Sequence, residues 1–382
     1  MRPRKRLSVD ALVTGGGIIG LATAYYLSKR GVKVAVLERR PFGFEASGRS
    51  AGGVRQQGRD TRELPLAIAS VGLWDMLEKE LGAPIHYRKC GNVIVALTEA
   101  EIPKLAAAAE CEQDLGLRVD ILSRRELVAK IPALSDRCVG GKYCPTDGIA
   151  EPSSVVQALA GAASQRGALL CPGAEALDFR VEGNCVTSVL TDETEFLPSV
   201  VVNAAGPWAP LIAMRVGIVL PIWPVRAQLA ETGLVGTLFN EFVTFPGEEI
   251  YCRPTVDGRF HIGPYAWVTP TDVENPSTLI PAASYVEKIW SLVPALKDVP
   301  IDRSWSGLLD ATPDALPIIG PVPRLKNYFV AAGFSGHGFC LGPIVGQLLS
   351  ELIVDGKASM SLDAFSLSRF RSERTPAESA LR

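Results

Sequence analysis

Three glycines close to the start of the chain have the spacing of a phosphate-binding turn. Gly15, Gly17 and Gly20 form a GxGxxG pattern between an apolar strand pattern and an apolar helical pattern. The first glycine would allow a tight turn, the second would let a pyrophosphate approach the backbone, and the third would let helix and strand pack closely. Because free N–H groups at a helix N-terminus attract anions, this segment predicts a dinucleotide-binding turn.

Glu38 lies where the ribose of a bound nucleotide is expected. It ends the second apolar strand, at the distance from the glycine turn that is typical of the motif's acidic residue. Its carboxylate can accept hydrogen bonds from both ribose hydroxyls, and it would repel a 2′-phosphate. NAD and FAD both use this strand–helix–strand unit, so the choice between them depends on other segments.

Two more glycine-rich segments are candidates for ligand contact. Residues 42–60, "FGFEASGRSAGGVRQQGRD", show no helical or strand periodicity, and loops of this length are uncommon in compact domains unless they have a function. Near the C-terminus, "NYFVAAGFSGHGFCLGPIVGQLLSELI" repeats the order of strand, glycine turn and helix.

The composition predicts a large enzyme-sized core without affinity for nucleic acid or membranes. The chain has 382 residues, of which 47% are hydrophobic, and a formal net charge of -2. That length suggests two domains or one interleaved body. The apolar run after the basic N-terminus is too short for a signal core, and no run approaches a membrane span. The eight cysteines form no metal-binding cluster. A cytoplasmic protein is expected.

Five blocks, in order, carry a resemblance to a known family. They are "GGGIIGLATAYYLSKRGVKVAVLE", "ASGRSAGGVRQQ", "VVVNAAGPWA", "IYCRPTVDGRFHIGP", and "WSGLLDATPDALPIIG" followed by "AAGFSGHGFCLGP". The chain resembles the FAD-dependent amine and amino acid oxidases that include D-amino acid oxidase, glycine oxidase and sarcosine oxidase. Within this family it looks most similar to glycine oxidase and to the sarcosine oxidase β-subunit type.

The resemblance implies where FAD is held. Residues 47–53 would wrap the pyrophosphate and reach the flavin ring, with Arg49 and Ser50 as phosphate contacts. The helix that opens at residues 336–339 would direct its positive N-terminus at the flavin and stabilise negative charge on the reduced ring. The expected FAD contacts are Gly15, Gly17, Ile19, Gly20, Glu38, Arg39, Gly48, Arg49, Ser50, Gly52, Gly53, Ala176, Ala205, Gly206, Trp208, Gly307, Gly333, Gly336, His337, Gly338 and Phe339.

The family also implies how the flavin is attached. Members that tether FAD covalently near this point place a cysteine where this chain has Gly307. Glycine has no nucleophile, so non-covalent FAD is expected.

The chain departs from the family where the substrate carboxylate is bound. Glycine oxidase-like members place an arginine at the position of Leu309, and sarcosine oxidase-like members place a lysine at that of Cys340. Both positions are neutral here, which favours either another cation or a bulkier secondary amine as substrate. The candidate cations are Arg55, Arg226 and Arg253.

Three residues of the "IYCRPTVDGRFHIGP" hairpin, and one just after it, are further candidates for the substrate site. Strand alternation puts Tyr251 and Arg253 on one face. His261 matches the position of a family lysine near flavin N5 that promotes oxygen reduction, and a cationic histidine could do the same work. Tyr265 matches a substrate-pocket histidine of the family and could offer a hydroxyl. A structural strand histidine is the alternative interpretation of His261.

The fold expected is α/β (α+β overall). A glutathione-reductase-like, FAD-binding Rossmann domain would be interleaved with a mixed-sheet substrate domain. The FAD-binding domain is predicted to comprise residues 8–83, 145–220 and 300–368, and the substrate domain residues 84–144 and 221–299. Residues 369–382 are expected to form a flexible tail.

The expected activity is oxidation of the C–N bond of an amino acid with a primary or secondary amine. Hydride would pass to flavin N5, the imine would be hydrolysed, and O2 would reoxidise the flavin. One alternative is a dehydrogenase subunit that passes electrons to a partner flavin or iron–sulfur centre. Another is a non-catalytic FAD-binding protein. A homo-oligomer or a partner subunit is compatible with either catalytic interpretation.

Overall fold

The computed structural model describes residues 4–264, 268–273 and 281–370. Tyr265 lies outside these residues. The strands are β1 (Lys5–Thr14), β2 (Val34–Glu38), β3 (Gly53–Val54), β4 (Asn92–Ala96), β5 (Asp120–Ser123), β6 (Gly140–Cys144), β7 (Gly148–Ile149), β8 (Leu169–Pro172), β9 (Asp178–Glu182), β10 (Cys185–Leu190), β11 (Thr194–Asn203), β12 (Trp223–Thr232), β13 (Phe242–Phe245), β14 (Ile250–Pro254), β15 (Phe260–Pro264), β16 (Val268–Pro270), β17 (Ile301–Ala311), β18 (Ile318–Pro321) and β19 (Tyr328–Ala332). The helices are α1 (Ile18–Lys29), α2 (Ala46–Arg49), α3 (Leu64–Leu81), α4 (Ile102–Asp114), α5 (Arg124–Lys130), α6 (Pro152–Gln165), α7 (Ala209–Met214), α8 (Ala283–Trp290) and α9 (Gly338–Asp355).

The first sheet carries the glycine turn. Its order is β18-β19-β11-β1-β2-β8, with β10 and β9 added beside β11. The central pairs are parallel, with Val13 opposite Val202 on one side and Val36 on the other. Side chains of β1 enter two different core clusters, Val13 in one and Leu12 in the other. Both faces of this sheet are therefore covered, which explains why its strands read as continuous apolar runs.

Three helices close one face of the first sheet. A Cβ on Gly342 of α9 would lie 2.7 Å from Cγ1 of Ile18 in α1, so these two helices cross very closely. Helix α3 joins them through Ser70 and Trp74, which both donate to the carbonyl oxygen of Cys340. Helix α9 is long and apolar enough to cross a membrane, contrary to the expectation from the sequence, but 61% of it is buried inside the protein. It is a core helix.

The second sheet forms the wall of the predicted substrate domain. Its order is β16-β12-β15-β14-β13-β4-β6-β5, and β17 pairs with β12. One face packs Phe260 and Ile262 against Val286 and Ile289 of α8. Arg253 and His261 are register partners, so their side chains share the opposite face.

The mixed α/β fold expected from the sequence is confirmed. One expected boundary needs correction. Strand β17 falls within the segment 300–368 assigned to the FAD-binding domain, yet it pairs along its length with β12 of the second sheet. The chain thus returns to the first sheet only at β18.

Candidate functional site

The turn between β1 and α1 is built around glycines that admit no side chain. Gly15 has φ +109°, and a Cβ there would overlap the carbonyl oxygen of Ala204 in the turn after β11. A Cβ on Gly20 would overlap the carbonyl oxygen of Gly15. The first and third glycines are therefore required by backbone packing, in the roles that the motif predicts.

The second glycine of the turn borders an open space. Gly17 is the N-terminal cap of α1 and, as a glycine, has no side chain that could cap the helix. A Cβ there would approach Oγ of Ser47 to 2.9 Å, and that Oγ accepts a hydrogen bond from the backbone N–H of Ile18. Ser47 belongs to the loop expected to wrap a pyrophosphate, but sequence reasoning did not single it out.

Glu38 orders the loop beside the glycine turn. Its Oε2 accepts from the backbone N–H of Gly16 at 2.7 Å, and its Oε1 accepts from that of Arg40 at 2.8 Å. The carboxylate also borders the first cavity, where it is available to a ribose.

The first cavity, of about 290 Å³, runs from the glycine turn to the N-terminus of α9. The guanidinium of Arg39 lies 4.2 Å above the Trp208 ring at its wall. Gly206, with φ +52°, has open space where a Cβ would lie. The expected FAD contacts that border this cavity are Gly15, Gly17, Ile19, Glu38, Arg39, Ser50, Ala176, Ala205, Gly206, Trp208, Gly336, Gly338 and Phe339. This cradle of small residues fits the adenosine and pyrophosphate of FAD.

A second cavity, of about 230 Å³, continues from the first. The two share wall residues, among them Ser50, Leu309 and Gly336. Five expected FAD contacts border this second cavity and not the first: Arg49, Gly52, Gly53, Gly307 and His337. The long continuous space suits an extended cofactor whose reactive ring reaches a chamber for a second molecule.

Three of the expected FAD contacts border neither cavity. Gly20 packs within the turn, and a Cβ on Gly48 would overlap the carbonyl oxygen of Gly43. The backbone N–H of Gly333 donates to Oδ2 of Asp310 at 2.6 Å. Burial raises the pKa of Asp310 to about 6, and this carboxyl, which the sequence did not single out, borders the first cavity.

Arg49 makes contacts within the protein rather than towards a phosphate. Its Nε donates to the carbonyl oxygen of Phe44 and its Nη1 to that of Ser306. It thereby ties α2 to β17, next to Gly307, whose Cβ would lie 3.3 Å from Cβ of Arg49.

Arg253, the cation favoured from strand alternation, lies behind the cavity wall. Its side chain is fully buried, and Nη1 donates to Glu151 at 3.0 Å and to the carbonyl oxygen of Pro254. It borders neither cavity. Its strand neighbour Tyr251 does border the second cavity, where its ring stacks on Phe242, and burial raises its pKa to about 12.

The other two candidate cations reach the second cavity. Arg226 on β12 is 8% exposed, and its Nε has no hydrogen-bond partner within the described part of the chain. Arg55 also borders this cavity, with its guanidinium 4.8 Å from the Phe242 ring centre. The neutral Leu309 borders the chamber, whereas Cys340 does not.

His261 differs from its sequence-based expectation. It borders neither cavity; its ring packs edge-on against Trp305, which does, at 5.1 Å between centres. Its Nε2 lies 2.8 Å from Oε2 of Glu231, which also holds Arg303. Burial, followed by the charge of Arg253, lowers the pKa of His261 to about 3. The ring is therefore neutral at neutral pH, which favours the alternative interpretation of His261 as a structural strand histidine.

A cluster of buried charged residues beside the second cavity was not predicted from the sequence. Glu63 is fully buried, with Oε2 at 2.8 Å from Nδ1 of His337 and 3.5 Å from Nη1 of Arg59. These residues come from separate segments, and no motif spacing links them.

The fold and these cavities define a flavoprotein oxidoreductase with a Rossmann-type nucleotide site. The chain belongs to the DAO family, FAD dependent oxidoreductase, which residues 10–352 match. It is therefore an FAD-dependent enzyme of the amino acid oxidase type that holds FAD without a covalent bond, and a non-catalytic role is not retained.

Two relatives illustrate the similarity in sequence. Glycine oxidase from Geobacillus kaustophilus is 30% identical over 94% of this chain and 97% of its own length. Hydrogen cyanide synthase subunit HcnC from Pseudomonas aeruginosa is 29% identical over 95% of this chain and 97% of its own.

Solved structures show the same fold. L-proline dehydrogenase from P. horikoshii superposes with a TM-score of 0.89, at 31% identity, covering 97% of this chain and 98% of that one. Glycine oxidase from Geobacillus kaustophilus gives a TM-score of 0.88 at 30% identity, covering 95% and 99%.

Proposed function

We propose that this enzyme oxidises the carbon–nitrogen bond of an amino acid carrying a primary or secondary amine. The observation that carries the proposal is the second cavity, which continues from the cofactor cavity and has Arg55 and Arg226 in its wall. Guanidinium groups recognise carboxylates through charge-assisted, often paired hydrogen bonds. The names of two relatives, glycine oxidase and 4-methylaminobutanoate oxidase, describe a primary and a secondary amine and agree with such a substrate.

Arg226 is the carboxylate anchor favoured by this geometry. Among the described residues its buried Nε has no hydrogen-bond partner, and a buried unpaired guanidinium N–H is costly unless a ligand accepts from it. Arg55 supplies a second positive charge in the same chamber. Tyr251, protonated at neutral pH because its pKa is about 12, can donate a hydrogen bond to the same carboxylate.

The chamber wall orients the substrate carbon and excludes water. Leu309 and Phe339 lie where the two cavities meet, and Trp305 closes another side. When bound, FAD accepts hydride from the carbon next to the amine nitrogen. The residues described here bind and orient the substrate, and water hydrolyses the imine product after release. The substrate class includes glycine, sarcosine, D-amino acids and larger N-substituted glycines.

Oxygen is the proposed electron acceptor, with peroxide as the second product. A second candidate is a dehydrogenase that passes electrons to a partner, because the similar solved structures include an L-proline dehydrogenase at 31% identity. Purified enzyme, reduced by an amine without oxygen, can be mixed with oxygen or with a redox dye in a stopped-flow instrument. Rapid reoxidation by oxygen with peroxide release supports the oxidase. Slow reaction with oxygen and fast reaction with the dye supports the dehydrogenase.

A further inference from the structure

Glu63 is a carboxylate enclosed by protein at the start of α3. Its side chain has no exposed surface, and it contacts two cationic or potentially cationic groups, His337 and Arg59. The shorter distance, 2.8 Å, joins Oε2 of Glu63 to Nδ1 of His337. Nδ1 has no aligned hydrogen-bond partner among the described residues, so this contact acts through charge: the buried carboxylate favours a proton on the imidazole nitrogen nearest to it.

His337 presents the other edge of its ring to the second cavity. The residue is the N-terminal cap of α9, next to Gly336, which borders both cavities. Its side chain is 27% exposed although Nδ1 is buried at Glu63. Nε2 lies on the opposite side of an imidazole ring from the Nδ1 contact, so Nε2 is the nitrogen that can meet a molecule in the chamber.

Burial, more than the surrounding charges, favours a neutral His337 in the resting protein. Burial and, after it, the charge of Arg59 lower the pKa of His337, and Arg55 acts in the same direction, while Glu63 opposes them. Burial alone would raise the pKa of Glu63, but His337 and Arg59 hold it below its usual value. The lowered pKa values of both groups favour a carboxylate on Glu63 and a neutral imidazole on His337, and a proton on Nδ1, beside the carboxylate, leaves the lone pair on Nε2.

We propose that His337 accepts the proton that the substrate ammonium must lose before its α-carbon can be oxidised. The N–H bond of the ammonium breaks, its proton bonds to Nε2, and the electron pair stays on the amine nitrogen. Glu63 and Arg59 are positioning residues: the charge of Glu63 stabilises a proton on Nδ1 and balances the imidazolium charge, and Arg59 keeps Glu63 ionised. This assignment rests on the proposed amine oxidation.

The tautomer of His337 tests the arrangement without any turnover. The chain has three histidines, so 15N-histidine labelling of the FAD-loaded enzyme gives few signals, and His337→Gln identifies the one that matters. Nδ1–H with an unprotonated Nε2 at neutral pH is expected. An Nε2–H tautomer, which leaves no lone pair towards the chamber, would overturn the proposal.

The pH profile of flavin reduction tests the chemistry. Glycine, sarcosine and L-proline serve as probes in anaerobic stopped flow, with FAD content checked for each variant. His337→Gln should reduce flavin roughly 100-fold more slowly than wild type at acid pH, the usual scale of a general base. Its rate should recover above the amine's own pKa, where the free amine binds. Glu63→Gln should shift the acid limb in the same direction.

The control is His86→Asn, since His86 is exposed and borders neither cavity. It should keep the wild-type profile. An equal loss of rate at every pH in His337→Gln would show a structural role and contradict the proposal. If none of the three amines reduces wild-type flavin, the proposed amine oxidation fails, whereas the tautomer measurement still reports on the His337–Glu63 arrangement.

Discussion

Arg226 and Arg253 carry the same charge in different surroundings, and this difference assigns them different roles. Arg253 is enclosed, donates to Glu151 and borders neither cavity, although its Nε and Nη2 also have no hydrogen-bond partner among the described residues. Arg226 has a buried Nε without a partner within the described residues and borders the second cavity. A substrate carboxylate can complete the coordination of Arg226, whereas reaching Arg253 would require breaking an existing ion pair.

Arg226→Met should therefore weaken substrate binding while leaving FAD binding close to normal. Loss of a charge-assisted hydrogen bond in a closed site costs about 1.5–3 kcal/mol, which is roughly 10- to 150-fold in affinity. Apparent KM for the best amine and FAD affinity by fluorescence would be measured together. Arg253→Met is the informative comparison: it leaves Glu151 unpaired and should lower the unfolding temperature more than it raises KM. An unchanged KM in Arg226→Met would move the anchor to Arg55.

His261 gives a pH dependence of stability rather than of oxygen reaction. Its pKa is lowered to about 3 in the folded protein, below its ordinary value, so the unfolded chain binds its proton first as pH falls. The stability that depends on neutral His261 is complete above about pH 6.5, the unfolded value, and declines towards pH 3. His261→Gln should thus flatten the fall of unfolding temperature between pH 7 and pH 4. If the unfolding temperature falls equally steeply with pH in wild type and variant, His261 is not the group whose burial makes stability depend on pH.

At the scale of elements, the β1–α1 turn depends on what each glycine would meet if it carried a side chain. A Cβ on Gly20 would overlap the backbone carbonyl oxygen of Gly15, and that backbone cannot move away without separating the strand from the helix. Gly17 has the hydroxyl of Ser47 nearby and the open cavity beyond. A Cβ on Gly72, in the middle of α3, would have no atom of another described segment within 4 Å, so this position provides a control.

Gly17→Val should give folded protein with little or no FAD, because the branched side chain fills the space of the pyrophosphate. Gly72→Val should retain FAD and gain roughly a few tenths of a kcal/mol of stability, because valine has a slightly higher helix propensity than glycine. Both variants would be purified and denatured with acid, and the released flavin identified by chromatography. Wild type should release FAD into the supernatant, as expected without a covalent bond. A Gly17→Val protein with a full complement of FAD would show that the pyrophosphate binds elsewhere.

A buried ion pair fixes the loop that carries Arg55. Nζ of Lys142 on β6 lies 2.6 Å from both oxygens of Glu112 on α4. Oε1 of Glu112 also accepts from the backbone N–H of Gly58. The pair therefore joins a strand, a helix and the active-site loop.

Lys142→Met should lower the free energy of unfolding by about 3–5 kcal/mol, because it leaves Glu112 buried without its cation. The matched control is Lys89→Met, which removes the surface pair with Asp75, where both side chains are more than a third exposed, and should cost no more than about 1 kcal/mol. Urea unfolding of the two variants would be compared. Similar losses of unfolding free energy in the two variants would show that burial does not strengthen the pair of Lys142 and Glu112.

At the scale of the whole molecule, the features that the sequence predicted are those that depend on local backbone geometry. The glycine turn, Glu38 and the second glycine-rich helix start are short-range features, and the structure brings them to one cavity. Strand alternation correctly put Tyr251 and Arg253 on one face, but it cannot say which side chain reaches a cavity and which meets a helix behind it. Ser47 and the contact of Glu63 with His337 depend on packing between distant segments, which no spacing reveals.

Anaerobic reduction of the bound flavin tests most directly whether this enzyme oxidises amines. FAD-loaded enzyme would be mixed without oxygen with glycine, sarcosine, L-proline, D-alanine and N-ethylglycine, and with acetate as a carboxylate that has no amine. At least one amine should abolish the visible flavin absorbance and yield the corresponding oxo acid, while acetate should perturb the spectrum without reducing the flavin. Flavin that stays oxidised with every amine, yet is bleached by an alcohol or a hydroxy acid, would contradict amine oxidation as the function of this enzyme.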